Sequence, residues 1–115
     1  MTNFTSWITV CKESDLVANS GVCALINEQQ IAIFKVKKAG QEQLFAISNW
    51  DPIGEANVLY RGLVCSVGET IVVASPLYKQ RYCLSSGTCL DSDEVKVVVF
   101  PVRLEDQAVQ LQMSQ

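Results

Sequence analysis

The chain of 115 residues contains no histidine. Without an imidazole there is no Ser-His-Asp or Cys-His relay, no His-ligated zinc, no facial-triad iron and no haem held by histidine. Neither G-x-G-x-x-G nor the phosphate-loop pattern ending in G-K-S/T occurs, so nothing signals a nucleotide site. Basic residues are scarce: 9 Lys and Arg against 12 Asp and Glu give a net charge of −3, which argues against nucleic acid as a partner. Long apolar runs are also missing. The longest, VKVVVFPV, is interrupted by Lys96 and Pro101 and falls far short of the roughly 18 residues a membrane helix needs. The N-terminal stretch MTNFTSWITV has neither the cationic start nor the apolar core of a signal peptide. A soluble, cytoplasmic protein with no membrane partner is expected. Cys11, Cys23, Cys65, Cys83 and Cys89 make an odd set with no C-x-x-C, and the expectation is reduced, mostly buried structural thiols.

What the chain does have is apolar material in short pieces. Apolar residues make up 49% of a length typical of one domain, so a single unit over 1–115 with its own core is expected. Segments at 6–11, 21–26, 30–36, 43–48, 62–67, 69–75, 81–84, 95–104 and 108–113 are rich in Val, Ile, Phe and Tyr, and several alternate with period two. Turn residues at 27–28, 37–42, 67–69, 85–87 and 105–107 separate them. The reading is all-β: an antiparallel sandwich or partial barrel. A short helical turn capped by Ser14 is expected within KESDLVAN. The stretch from 49 to 62, NWDPIGEANVLYRG, is long and irregular but too apolar for disorder, so it is expected to pack.

Two segments repeat one pattern. AISNWDPIG carries a strand into Asp-Pro-Ile, and VVASPLYKQRY carries another into Ser-Pro-Leu-Tyr. Their arrangement resembles the Rieske [2Fe–2S] domain, whose loops read C-P-H and C-P-x-H-G and hold one iron by two thiolates and the other by two imidazoles. Leu59 and Gly62 match the L-x-x-G that follows the first loop, and Tyr82, Leu84 and Gly87 match the run after the second. The ligand positions do not match. Asp51 and Ser75 stand where the cysteines would be, and Ile53 and Tyr78 where the histidines would be. Isoleucine has no donor atom, and serine binds iron poorly without deprotonation.

The segments GVCAL, QIAIF, FAISNWDP, VLYRGL and VASPLYKQRY, in that order, are similar to the small-subunit family of assimilatory NAD(P)H-dependent nitrite reductases, cluster-less Rieske-type domains. The resemblance runs from about Trp7 to Gln112. It implies a Rieske-like antiparallel fold with a small two-loop subdomain at about 49–88. It also implies a cytoplasmic complex reducing nitrite to ammonium, in which FAD, sirohaem, the [4Fe–4S] cluster and the nitrite site belong to the large subunit. On that reading this chain carries no cofactor, metal or catalytic group. Two alternatives stand beside it: a stand-alone redox carrier with unorthodox cluster ligands, and a binding domain with an unrelated ligand.

The individual residues carry paired expectations. Asp51 is read as an Asx-turn residue or as a polar contact to a partner. Ser75 is read as satisfying backbone rather than as a nucleophile, since no base is present to activate it. Tyr78 suits either core or interface, and Trp7 and Trp50 are read as core. Lys79 and Arg81 form a solvated charged face or pair with an acidic partner. Pro52 and Pro76 stiffen the loops. The docking candidates are Trp50, Pro52, Ile53, Pro76, Leu77, Tyr78 and Lys79.

Overall fold

The computed structural model describes residues 5–114. In chain order the strands are β1 (Thr5–Lys12), β2 (Ser20–Ile26), β3 (Gln29–Lys38), β4 (Gln41–Ser48), β5 (Trp50–Asp51) and β6 (Ala56–Asn57). There follow β7 (Leu63–Val67), β8 (Thr70–Ala74), β9 (Arg81–Cys83), β10 (Val99–Phe100), β11 (Val102–Glu105) and β12 (Ala108–Ser114). Single-turn 3₁₀ segments lie at Glu13–Asp15 and Leu59–Arg61, and the described residues contain no α-helix. The strands form antiparallel sheets in the orders β10–β4–β3–β2, β1–β12–β11 and β7–β8–β9, with β5–β6 as a two-residue hairpin.

The layering follows from β3. Successive strand residues face opposite sides, and both sides of this strand are apolar. Ala32, Phe34 and Val36 join Ile47, Leu59, Val73, Tyr82 and Leu84 in one buried cluster. Ile31 and Ile33 join Leu16, Ala46, Val109, Leu111 and Met113 in another. The β2–β4 sheet is therefore the middle layer, covered on one face by β1–β12–β11 and on the other by β7–β8–β9 and the long loop. Tight turns fix two of the strand pairs, β2–β3 in the middle sheet and β11–β12 in the covering one. Asn27–Glu28 and Asp106–Gln107 each hold two residues at positive φ, as two-residue hairpins of the favoured hand require.

The structure corrects several sequence expectations. The segment read as one strand over 95–104 is split into β10 and β11 by Pro101, which cannot donate to a ladder. At that break the chain changes sheets: Val99 and Phe100 pair with β4, whereas Val102 to Glu105 pair with β12. The stretch 49–62 is not wholly irregular, since it holds the β5–β6 hairpin and the second 3₁₀ turn. The turn expected near Ser14 exists as the first 3₁₀ segment, but its N-terminal hydrogen bond is made by the Lys12 N–H to the Asp15 carboxylate (2.9 Å). All five cysteines are free thiols, and only Cys83 and Cys89 are fully buried; Cys23 is exposed. Trp50 is exposed rather than in the core, and Trp7 is half-buried under the Arg103 guanidinium, 4.2 Å from the ring centre.

The frame residues behind the loops are buried for stated reasons. Leu59, Tyr82 and Leu84 belong to the first core cluster. Gly87 has φ +81, and a Cβ there would lie 2.0 Å from the Val97 carbonyl oxygen, so only glycine fits.

Candidate functional site

The two proline loops have the same backbone. In the first, the Glu55 N–H donates to the Asp51 carbonyl (2.7 Å) and the Ile53 N–H donates to Asp51 Oδ1 (3.0 Å). In the second, the Lys79 N–H donates to the Ser75 carbonyl (2.9 Å) and the Leu77 N–H donates to Ser75 Oγ (3.2 Å). Glu55 and Lys79, at the fifth position of each loop, both have positive φ, 55° and 63°. Proline at the second position fixes φ and keeps the residue before it extended, which lets Asp51 or Ser75 fold its side chain over the turn. The Asx-turn reading of Asp51 and the backbone-satisfying reading of Ser75 both describe this geometry.

Side chains then join the two loops. Ser75 Oγ donates to Asp51 Oδ2 (2.5 Å), Gln80 Nε2 donates to Asp51 Oδ1 (2.6 Å), and the Tyr82 hydroxyl donates to Asp51 Oδ1 (2.9 Å). Asp51 is 0% exposed, so it is not the partner-contacting residue of the other sequence reading. Burial alone would raise the Asp51 pKa. The hydrogen bonds from Ser75, Gly54, Tyr82 and Ile53 outweigh it and hold the carboxyl below the ordinary carboxylate range. Burial, and then the Asp51 charge beside it, push the Tyr82 hydroxyl far up, although the hydrogen bond from Gln80 pulls the other way, so Tyr82 stays a neutral donor. Gln80 Oε1 is buried with no partner in the described structure. Turning that amide would set its oxygen against the carboxylate; an unmet acceptor, at about 1–3 kcal/mol, is the lesser cost.

The positions that would carry histidines point the other way. Ile53 is 37% exposed, Leu77 45% and Tyr78 70%, which removes the core reading of Tyr78. Gly54 allows the two loops to touch: a Cβ there would come within 2.4 Å of Leu77 Cδ1 and 2.8 Å of Asp51 Oδ2. Leu77 therefore lies across the first loop; Ile53, Leu77 and Tyr78 are exposed at the tips, and Trp50 is exposed on β5. Pro76 and Lys79 are exposed and Pro52 is half-buried. Arg81 does not belong to a free cationic face. Its guanidinium grips Asp91 at 2.7 and 3.1 Å, and its backbone N–H donates to the same carboxylate at 2.8 Å.

A [2Fe–2S] cluster does not fit these residues. Asp51 and Ser75 spend their oxygens on each other and on nearby amides, Ile53 has no donor, and Tyr78 is directed to the surface. Among the described residues no group of three or more His, Cys, Asp or Glu is placed to hold a metal ion. A groove of about 960 Å³ lies elsewhere, between β1, β3 and the β11–β12 turn, and Lys35 on its wall is shared by Glu13 (3.9 Å) and Glu42 (3.7 Å).

Two residues of the site have no motif in the sequence. Gln80 sits two before Tyr82, hence on the same inward side of the chain entering β9, and a polar residue at such a register position is the signal that could have exposed it. Asn49 likewise continues the inward side of β4 after Phe45 and Ile47. Its Nδ2 donates to Gln30 Oε1 (3.1 Å) and its Oδ1 accepts the Tyr60 N–H (2.8 Å), tying the long loop to β3. Asn49→Ala is expected to destabilise the fold by about 1–3 kcal/mol, read as a lower urea midpoint at unchanged slope.

Comparison with known proteins places this geometry in context. Residues 6–112 match the family described as the Rieske-like [2Fe-2S] domain. The chain is 42% identical over 107 residues to the nitrite reductase (NADH) small subunit of Escherichia coli, covering 93% of this chain and 97% of that one. It superposes on the NMR structure of the E. coli protein NirD with a TM-score of 0.84 and 41% identity, covering 96% of this chain and 98% of that one. It is also 38% identical over 103 residues to part of the nitrite reductase [NAD(P)H] large subunit of Klebsiella oxytoca, covering 90% of this chain and 10% of that one.

Proposed function

Because the chain belongs to the Rieske-like [2Fe–2S] domain family, among its NAD(P)H nitrite reductase small subunits, we propose that it docks on the large subunit of that enzyme through its two proline loops and supplies no catalytic group. The observation that carries this reading is the conversion of the loops: the two inner ligand positions are hydrogen-bonded to each other, and the two outer ones present Ile53 and Tyr78 to the surface. A redox role would need donors at all four positions. The two-loop unit at about 49–88 is then the part that engages the partner, with Trp50, Ile53, Leu77 and Tyr78 at its centre and Pro52, Pro76 and Lys79 beside them. Aromatic and aliphatic anchors surrounded by polar residues suit a stable interface, which typically buries about 800 Å² on each side.

The fused relative supports the choice of occupant. In the Klebsiella oxytoca large subunit a segment similar to 90% of this chain is part of that subunit's own chain. A domain covalently built into a large subunit in one protein and separate in another is suited to dock on that same subunit. FAD, sirohaem, the [4Fe–4S] cluster and nitrite then reside on the large subunit, in a cytoplasmic complex serving nitrate assimilation. Among the described residues no helix is long and apolar enough to cross a membrane.

The test is co-expression with the large-subunit chain. The expected result is a complex that co-purifies and oxidises NAD(P)H with nitrite faster than the large subunit alone, while this chain purified anaerobically by itself is colourless and free of iron. Visible absorbance with stoichiometric iron in the isolated chain contradicts the proposal and restores the redox-carrier reading. A chain that never co-purifies with the large subunit leaves the unrelated-ligand reading.

A further inference from the structure

Behind the exposed loop tips lies a buried carboxylate, and we infer that Asp51 is a positioning residue for the docking surface, holding Leu77 and Tyr78 in shape from the opposite loop without touching the partner. The inference rests on the docking reading above. Asp51 belongs to the first loop, yet its shortest side-chain hydrogen bonds go to Ser75 (2.5 Å) and Gln80 (2.6 Å). Those two residues bracket the exposed run Pro76, Leu77, Tyr78 and Lys79. The base of the run is closed by the Ser75 N–H donating to the Gln80 carbonyl (2.9 Å). Four exposed residues thus hang between two anchors, and both anchors hold the same carboxylate.

A second connection runs through Gly54. Leu77 packs where a Cβ of Gly54 would stand, and that point is also 2.8 Å from Asp51 Oδ2. The resting place of Leu77 is therefore defined by the same loop that Asp51 organises. Asp51 itself is fully buried, so any effect it has on binding passes through the tip. In a cluster-bearing relative of this fold the metal would tie the two loops together; here a carboxylate and its donors make that connection.

The test is a double-mutant cycle in binding to the large-subunit chain, with Asp51→Asn, Leu77→Ala and the combination, all at a temperature where each variant is folded. Each single change is expected to weaken binding about tenfold, and the double change also about tenfold, because contacts already disordered by Asp51→Asn cannot be lost again. Amide hydrogen exchange supplies the readout that a general loss of stability would not give. In Asp51→Asn the Leu77 and Lys79 amides are expected to exchange at least tenfold faster by local opening, independent of urea, while β3 amides speed up only as far as the loss of global stability requires. A roughly hundredfold loss in the double variant, or Leu77 and Lys79 exchange no faster than the loss of global stability requires, overturns the inference and leaves the docking reading standing. No loss from Leu77→Ala overturns both. Should Asp51→Asn not fold, Ser75→Ala, which removes one donor from the same carboxylate, enters the cycle in its place with the same two outcomes.

Discussion

Asp51→Ala is expected to lower the stability of this domain by about 3–5 kcal/mol, because several neutral donors lose hydrogen bonds to a charged acceptor worth about 1.5–3 kcal/mol each. Its carboxylate accepts the Ser75 and Tyr82 hydroxyls, the Gln80 amide and the Ile53 N–H, and without it the Gln80 amide keeps only its 3.3 Å contact with the Tyr82 hydroxyl. The loss is a large fraction of the roughly 5–15 kcal/mol available to a domain of this size, and a lowering of Tm by 10 °C or more is the expected size. Urea unfolding at pH 7 measures it. A change under about 1 kcal/mol would show that the network contributes little.

The same residue sets a pH dependence with a definite sign. Asp51 is held below its ordinary carboxylate range in the folded chain, so it takes up its proton more readily in the unfolded one. Its contribution is complete above the unfolded value of about 3.9 and is lost as pH falls through the folded value. The stability gap between the wild type and Asp51→Asn should therefore narrow below about pH 4. A gap that stays constant from pH 7 to pH 3 would place the effect in packing rather than charge.

The second large effect concerns the surface. Leu77→Ala combined with Tyr78→Ala is expected to weaken binding to the large subunit by about a hundredfold, or about 2.7 kcal/mol, the range of a central aromatic–aliphatic anchor. Stability should move by about 1 kcal/mol or less, since Tyr78 is 70% and Leu77 45% exposed in the isolated chain. The variant is expected to lose docking and keep everything else. Nitrite turnover should recover to the wild-type level when the variant is supplied in large excess. A turnover that stays low at saturation would mean that this loop does more than dock.

The strands and the two loops were legible in the residues themselves. β2, β3, β4, β8 and β12 follow from apolar runs bounded by turn residues, and the apolar-on-both-sides pattern of QIAIF is what a middle layer requires. Pro101 was visible too, but whether a proline ends a strand or moves it to another sheet depends on which neighbours are present. The ligand substitutions were also plain, because Asp51, Ile53, Ser75 and Tyr78 are read directly against the proline loops. The resemblance implied that Asp51 and Ser75 lie close together, at the two cysteine positions of one iron; what the sequence could not show is that they are joined by a hydrogen bond. Their hydrogen bond joins residues 24 positions apart, and no local pattern encodes that pairing. Arg81 illustrates the same limit: its neighbours in sequence suggest a basic surface, while its charge is met by Asp91 across a turn.

The central claim, that loops built for a metal now present a protein-binding face, is tested most directly by calorimetric titration of the large subunit with the isolated small subunit. Wild-type chain and the Leu77→Ala/Tyr78→Ala variant are compared after both are shown to be folded. The account predicts tight binding for the wild type and an affinity about a hundredfold lower for the variant. Equal affinities would contradict it.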